Sequence, residues 1–266
     1  MATAKKAVKK SAGTAIVKWD EKFSKYAKEA KEQLKNIGAG GVSVKFGRGT
    51  IEVAGASMLG GKLECVIVGS CALNAWYAEA FDADNPAPPD CYAFSVINDD
   101  PDMKPHEQAA QPQSDLCSTC TKNEYGTALV GKGKACGNNI RLGILTGKDV
   151  EDAATISTAE LAIAKVSPTN LKNYKGYVEA IEQAHGRPTW AVITEITSHN
   201  DNKTQIRLEF KFVELIEDDE VLEALEKRFL NIQDQLQTPF AAATERPAKK
   251  AVAKKGTAKF AGKGKR

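Results

Sequence analysis

Between about residues 82 and 138 the chain has few apolar runs, yet it places four cysteines there: Cys91, Cys117, Cys120 and Cys136. Pro, Gly, Asn and Asp fill much of the rest. Such a stretch gains little from burial, so something other than a core has to hold it. Cys117-Ser118-Thr119-Cys120 is the centre of that something, because two thiols separated by two residues close on one ion through a tight turn. The spacing is 25 residues, then two, then 15: one knuckle and two single cysteines. Tetrahedral structural zinc suits this set, ahead of an iron–sulfur cluster. His106, upstream of Cys117, is a rival to Cys91 as fourth ligand. Buried or disulfide-bonded cysteines are the other reading. No secretory leader is recognised, so a reducing compartment is expected and disulfides are disfavoured. Cys65 and Cys71 lie in an apolar run, Leu63 to Cys71, and read as small core residues.

The formal charge of +3 conceals a division. Residues 1–15 carry +4 and residues 241–266 carry +8, which leaves −9 on residues 16–240. Both ends are rich in Ala, Lys and Gly and too poor in apolar area to offset the entropy of ordering, so disordered basic tails are expected. Such tails attract polyanions by releasing counterions. No apolar stretch reaches the length of a membrane span.

Periodicity places an amphipathic helix over residues 17–37, with Val17, Phe23, Tyr26, Ala27, Ala30, Leu34 and Ile37 on one face and Gly38, Gly40 and Gly41 as its stop. Alternation then predicts a hairpin over 42–46 and 50–53, a long strand over 62–73, and strands over 91–97, 140–145 and 160–166. A helix is expected over 169–184, two strands over 189–198 and 204–215, and a second amphipathic helix over about 218–236. Three strands, a helix and a closing hairpin is the order of an OB-type barrel. The expected fold is therefore mainly β within α+β: one OB-like domain over 16–240, with flanking helices and a metal-binding insertion at about 82–138. A two-sheet α+β domain is the alternative.

OB barrels hold single strands by stacking bases on aromatics in a basic groove. The candidates for that role are Trp76 and Tyr77 after the long strand, Tyr92 and Phe94 on one face of the next, and Tyr125 in the cysteine segment. Lys132 and Lys134, in Gly131-Lys132-Gly133-Lys134-Ala135-Cys136, and Arg141 are the candidate phosphate contacts. A phosphate-binding nucleotide loop is excluded by its missing Lys-Ser/Thr pattern. His106, His185 and His199 sit in no nucleophile motif, and no zinc-deaminase signature accompanies the cysteines. Asp99, Asp100 and Asp102 read as a polar loop before they read as a Mg²⁺ site. No enzymatic activity is expected.

Taken together, Cys91-Tyr92-Ala93-Phe94, Pro105-His106-Glu107-Gln108, Pro112-Gln113-Ser114, Cys117-Ser118-Thr119-Cys120, Asn123-Glu124-Tyr125-Gly126 and Gly131–Cys136 resemble a family of tailed-phage proteins described as single-stranded DNA-binding or replication-associated. The resemblance covers roughly residues 60–145. It implies a metal-stapled β domain at work in phage DNA metabolism, in the host cytoplasm, with single-stranded DNA and replication proteins as partners. Relatives of that function commonly end in an acidic tail, whereas this chain ends in a basic one. The alternatives are a structural protein that condenses duplex DNA through its tails, and an accessory factor for a polymerase or for transcription.

Overall fold

A computed structural model describes residues 42–79, 87–129 and 131–240. The helix expected over 17–37 and both basic tails lie outside the described residues. One mixed sheet runs through the chain in the order β3-β2-β1-β7-β6-β4-β8-β9, with β5 also paired to β4. Its strands are β1 (Val42–Gly47), β2 (Thr50–Val53), β3 (Ala56–Ser57), β4 (Lys62–Trp76), β5 (Cys91–Ser95), β6 (Gly137–Thr146), β7 (Ala162–Val166), β8 (Val192–Asp201) and β9 (Gln205–Leu215). All neighbours are antiparallel except β1 and β7. The sheet curls into a half-barrel, and Ser198 Oγ donates to the Gly47 carbonyl across the curl.

Strand β4 is the spine. It pairs with β6 along Cys65–Ala75, with β8 through Lys62–Cys65 and with β5 through Ala72–Trp76. It bends at a bulge between Ile67 and Gly69. Both faces of β4 are covered, which is why its sequence reads as a continuous apolar run. Leu63, Cys65 and Ile67 point into the curl with Leu142, Ile144, Ile196 and Leu208. Helix α2 (Leu171–His185) closes that core with Tyr174, Tyr177 and Ile181. Val66, Val68 and Cys71 face the outer side, which is covered by α1 (Ala153–Thr158), α3 (Asp219–Leu230) and α4 (Ile232–Leu236). Cys65 and Cys71 are core residues, as their setting in the run suggests.

Three local departures from the periodicity have simple causes. The short helix α1 carries too few residues for a periodic signal and starts on a cap, Asp152 accepting from the Thr155 amide at 2.7 Å. The expected helix over 218–236 is two helices that meet at Asn231. Strand β5 stops at Ser95, whose hydroxyl donates to Asp100 at 2.6 Å and accepts from the Ile97 amide. That local turn leaves Val96 and Ile97 exposed. Among the described residues no helix is long and apolar enough to cross a membrane.

Gly143 lets α4 lie directly on β6. A Cβ built there would come within 2.6 Å of Ile232 Cδ1 and 2.8 Å of Leu161 Cδ2. Ile232 is itself buried, so neither methyl has room to yield. Gly143→Ala is expected to destabilise the fold by about 1–3 kcal/mol through overpacking; urea denaturation of the variant measures it.

Candidate functional site

The cysteine segment hangs between β4–β5 and β6 and is ordered mainly by polar contacts. The Cys120 amide donates to the Cys117 carbonyl and closes the knuckle as a single turn. The Cys117 amide donates to Met103, the Cys136 amide to Lys122 and the Asn123 side chain to the Cys117 carbonyl. A ladder of asparagines joins the segment to the sheet. Asn138 of β6 donates to Asn74 of β4 at 2.6 Å and to Asn123 of the segment at 3.0 Å. Sequence reasoning passed over these asparagines, because the type is common in loops and the pairing is set by tertiary structure.

Cys91, Cys117, Cys120 and Cys136 all line one cavity of 20 Å³, together with Trp76, Tyr92 and Lys122. That volume holds one water-sized or ion-sized body. His106 does not line it. Its Nδ1 accepts from the Gln108 amide at 3.1 Å, its ring stacks on Tyr92, and the Tyr92 hydroxyl lies 3.3 Å away. Of the two rivals for a fourth ligand, Cys91 is the one that lines the same cavity as the other three. All six described cysteines are free thiols.

Burial pushes the Cys136 thiol up to about 12, and the charges of the other three add to the rise. Cys91 and Cys117 shift the same way, again mainly through burial. Three contacts act in the opposite sense. Main-chain hydrogen bonds from Gln113 to Cys91 and from Ala75 to Cys136, and one from the Asn74 side chain to Cys117, favour the thiolate forms. Four sulfurs around one cavity, three of them with hydrogen-bond donors, match the ligand type and the surroundings of a thiolate metal site. Yet among the described residues no group of three or more His, Cys, Asp or Glu side chains is disposed to hold a metal ion. The sulfurs converge on a common space without standing in closed ligand positions around a centre. Cysteine is the ligand type of a structural zinc site, but among the described residues the closed cage is not formed.

The aromatic and basic candidates divide. Trp76 is half-buried at the end of β4, and Lys122 Nζ stands 5.4 Å from its ring centroid. Tyr125 is exposed, with Lys134 Nζ 5.2 Å from its centroid and 3.2 Å from Asn123 Oδ1. Lys132 is exposed, and Tyr77 lies just past Trp76 at the surface. Lys122 was missed by sequence reasoning because nothing in its neighbours marks it.

Tyr92, Phe94 and Arg141 occupy a different place from the one expected for them. Tyr92 is buried against His106, Phe94 and Phe240. The Arg141 guanidinium lies 4.5 Å from the rings of both Phe94 and Phe240. Its Nη1 donates to the carbonyls of Leu236 and Thr238 at 2.9 and 2.8 Å. Arg141 is thus a clamp that fixes the end of α4 to the sheet, and phosphate has no path to it. Arg141→Ala is expected to destabilise the protein by about 3 kcal/mol, because two cation–π pairs go and two carbonyls are left without a partner. Chemical denaturation measures that destabilisation.

The acidic cluster is a turn. Asp100 accepts from Ser95 and from the Asp102 amide, and the Ser95 bond holds its carboxyl below the usual range.

Comparison with known proteins gives no match: no family model, no curated protein and no solved structure aligns with the chain.

Proposed function

We propose that this is a non-catalytic single-stranded DNA-binding protein, of phage origin and active in the host cytoplasm, whose cysteine segment is both staple and binding loop. The observation that carries the reading is the pairing of lysine with aromatic on that segment, Lys122 over Trp76 and Lys134 over Tyr125. Aromatic faces flanked by cations are what a base and its phosphate need from a sequence-tolerant site.

The strand connections support an OB-like barrel as the frame. Strands β4, β6 and β7 form an antiparallel meander, α2 follows, and the hairpin β8–β9 returns so that β8 pairs with β4. A meander, a helix and a returning hairpin are also the sequence of an OB barrel, although here β7 pairs with β1 and not with β9. In this frame the cysteine segment is the connection between the first and second barrel strands, one of the loops OB barrels use for oligonucleotides. The outer face of β6–β7, which OB barrels also use, is covered here by α3 and α4. The binding role therefore falls to the loop.

Zinc is the ion proposed for Cys91, Cys117, Cys120 and Cys136, where it would tie the loop to β5 and β6. The tail from residue 241 to 266 starts just after Phe240, which packs on Tyr92, beside the Trp76–Cys91 pair. Its charge of +8 is thereby tethered at the same end of the barrel.

A salt titration of binding to a homopolymer strand and to a matched duplex tests the reading. Tighter binding to the strand at every salt concentration is expected. Equal affinities, or binding lost entirely when residues 241–266 are removed, would instead favour a tail-driven duplex-condensing protein.

A further inference from the structure

A cavity of 130 Å³ lies back to back with the cysteine cavity, and Asn74, Cys117 and Asn123 line both. One water needs about 10–15 Å³ of such space, so this cavity has room for a body of several heavy atoms. Ala72 and Met103, both buried, supply apolar lining. Asn138, Ser118, Asp99 and Asp100 supply polar lining.

Most of the hydrogens on that lining are already committed. Asn138 Nδ2 donates to Asn74 Oδ1 and Asn123 Oδ1, which uses both of its protons. Asn74 donates to Met103 Sδ at 3.1 Å and to Cys117. The Ser118 hydroxyl donates to the Pro101 carbonyl at 2.9 Å, and Asn123 Nδ2 donates to the Cys117 carbonyl. Lone pairs remain. Asn138 Oδ1 and Asp99 Oδ1 receive no hydrogen bond among the described residues. The two Asp100 oxygens accept one each, from Ser95 and from the Asp102 amide, and each has a second lone pair. The cavity is therefore rich in acceptors and poor in donors.

We infer that this cavity takes one base of a bound single strand and reads it by its exocyclic amino group. The inference rests on the single-strand reading above and adds a base preference to it. An amino group brings the N–H donors that the lining lacks, and a carboxylate is the usual acceptor for the N4 amino group of cytosine. A carbonyl at the same ring position would set lone pairs against lone pairs and leave the acceptors unpaired. The ring itself suits Ala72 and the Met103 thioether. Asp99 and Asp100 keep phosphate out of the cavity, and a place for it exists next door. Lys134 Nζ lies 3.2 Å from Oδ1 of Asn123, a lining residue, and stands over the Tyr125 ring. A base in the cavity thus has a cation beside it for its phosphate and a ring for its neighbour. The same lysine repels the lysine or arginine side chain of a protein partner, the other donor-bearing occupant the acceptors could take.

The test uses the full chain with oligo(dC) and oligo(dU), at slightly alkaline pH so that cytosine stays neutral. The two bases differ only in an amino group against a carbonyl and in the N3 proton that goes with it. Oligo(dC) is expected to bind about tenfold more tightly. Asp99→Asn should remove most of that difference and keep the turn, because Asp99 has φ of 56° and asparagine tolerates the left-handed region. Ser118→Leu should remove it as well, by putting an alkyl group where an exposed hydroxyl lines the cavity. Either variant decides the matter if the other fails to fold. Lys134→Ala should weaken both strands alike and keep their ratio. Equal wild-type affinity for the two strands would overturn the inference and leave the single-strand reading standing. A preference that survives Asp99→Asn and Ser118→Leu would overturn it too, since the discriminating contacts would lie elsewhere. If neither strand binds, the single-strand reading and this inference fall together.

Discussion

Under the proposed zinc staple, replacing Cys136 by serine should abolish metal binding and release the loop without unfolding the sheet. Elemental analysis of the wild-type chain is expected to find about one zinc, and the variant close to none. The effect is large because a structural zinc contributes on the order of 10 kcal/mol to the fold that it closes, and this loop has little else. Its contacts are main-chain hydrogen bonds, an asparagine ladder and small apolar clusters around Ala109 and Met103. The two main cores contain none of the four cysteines. Limited proteolysis should therefore cut the variant within residues 98–136 while fragments on either side remain associated. Strong chelation of the wild type should reproduce the pattern, and added zinc should reverse it. Cys91→Ser should behave like Cys136→Ser, whereas His106→Ala should leave the metal content unchanged, because His106 faces Tyr92 and lies outside the cavity lining. A protein that contains no metal and whose protease pattern is indifferent to Cys136→Ser would reduce the four thiols to buried core residues. A visible absorption band with iron in place of zinc would replace the ion but keep the staple.

The sheet was readable because its signals are local. The Val42–Val53 hairpin, the long apolar β4 and the β8–β9 pair follow from alternation and turn residues within a few positions of each element. The Cys117–Cys120 turn was readable from spacing, since a CxxC turn needs no distant partner, whereas among the described residues the four cysteines do not form a closed metal cage. The roles of Tyr92, Phe94 and Arg141 were hidden, and for one reason. What buries them is Phe240 and the carbonyls of Leu236 and Thr238, about a hundred residues or more further along the chain. An arginine beside strand aromatics looks the same in a sequence whether it grips phosphate or its own C-terminal segment. Asn74, Asn123 and Asn138 were hidden for a related reason. A side-chain amide is neutral in every local pattern and acquires its role only when three elements bring it to a partner.

The second large effect lies on the proposed binding face. Changing Lys122, Lys132 and Lys134 together to alanine should weaken single-strand binding and lower its salt dependence. Each phosphate of a single strand that the protein ceases to neutralise reduces the slope of log affinity against log salt by about 0.7, so three lysines account for about 2. Trp76→Ala and Tyr125→Ala should each cost about 1–3 kcal/mol and leave the slope unchanged, because stacking releases no counterions. The two classes of variant are separable on one plot: lysines tilt the line, aromatics shift it. Both rings lie outside the asparagine ladder, so metal content serves as the check that the loop is intact in each variant. Tyr125→Phe should be near neutral, since the face of the ring and not its hydroxyl is the proposed platform. Phe94→Leu should lower stability with little effect on the affinity of the folded protein, for its ring is committed to Arg141. If the triple lysine variant keeps the wild-type slope, the tails alone are neutralising phosphate, and the loop is a fastened ornament of the sheet with no part in binding. Lys122 and Lys134 already stand over the two rings, so in the proposed complex a base that displaced them would push each cation toward the phosphate that follows it.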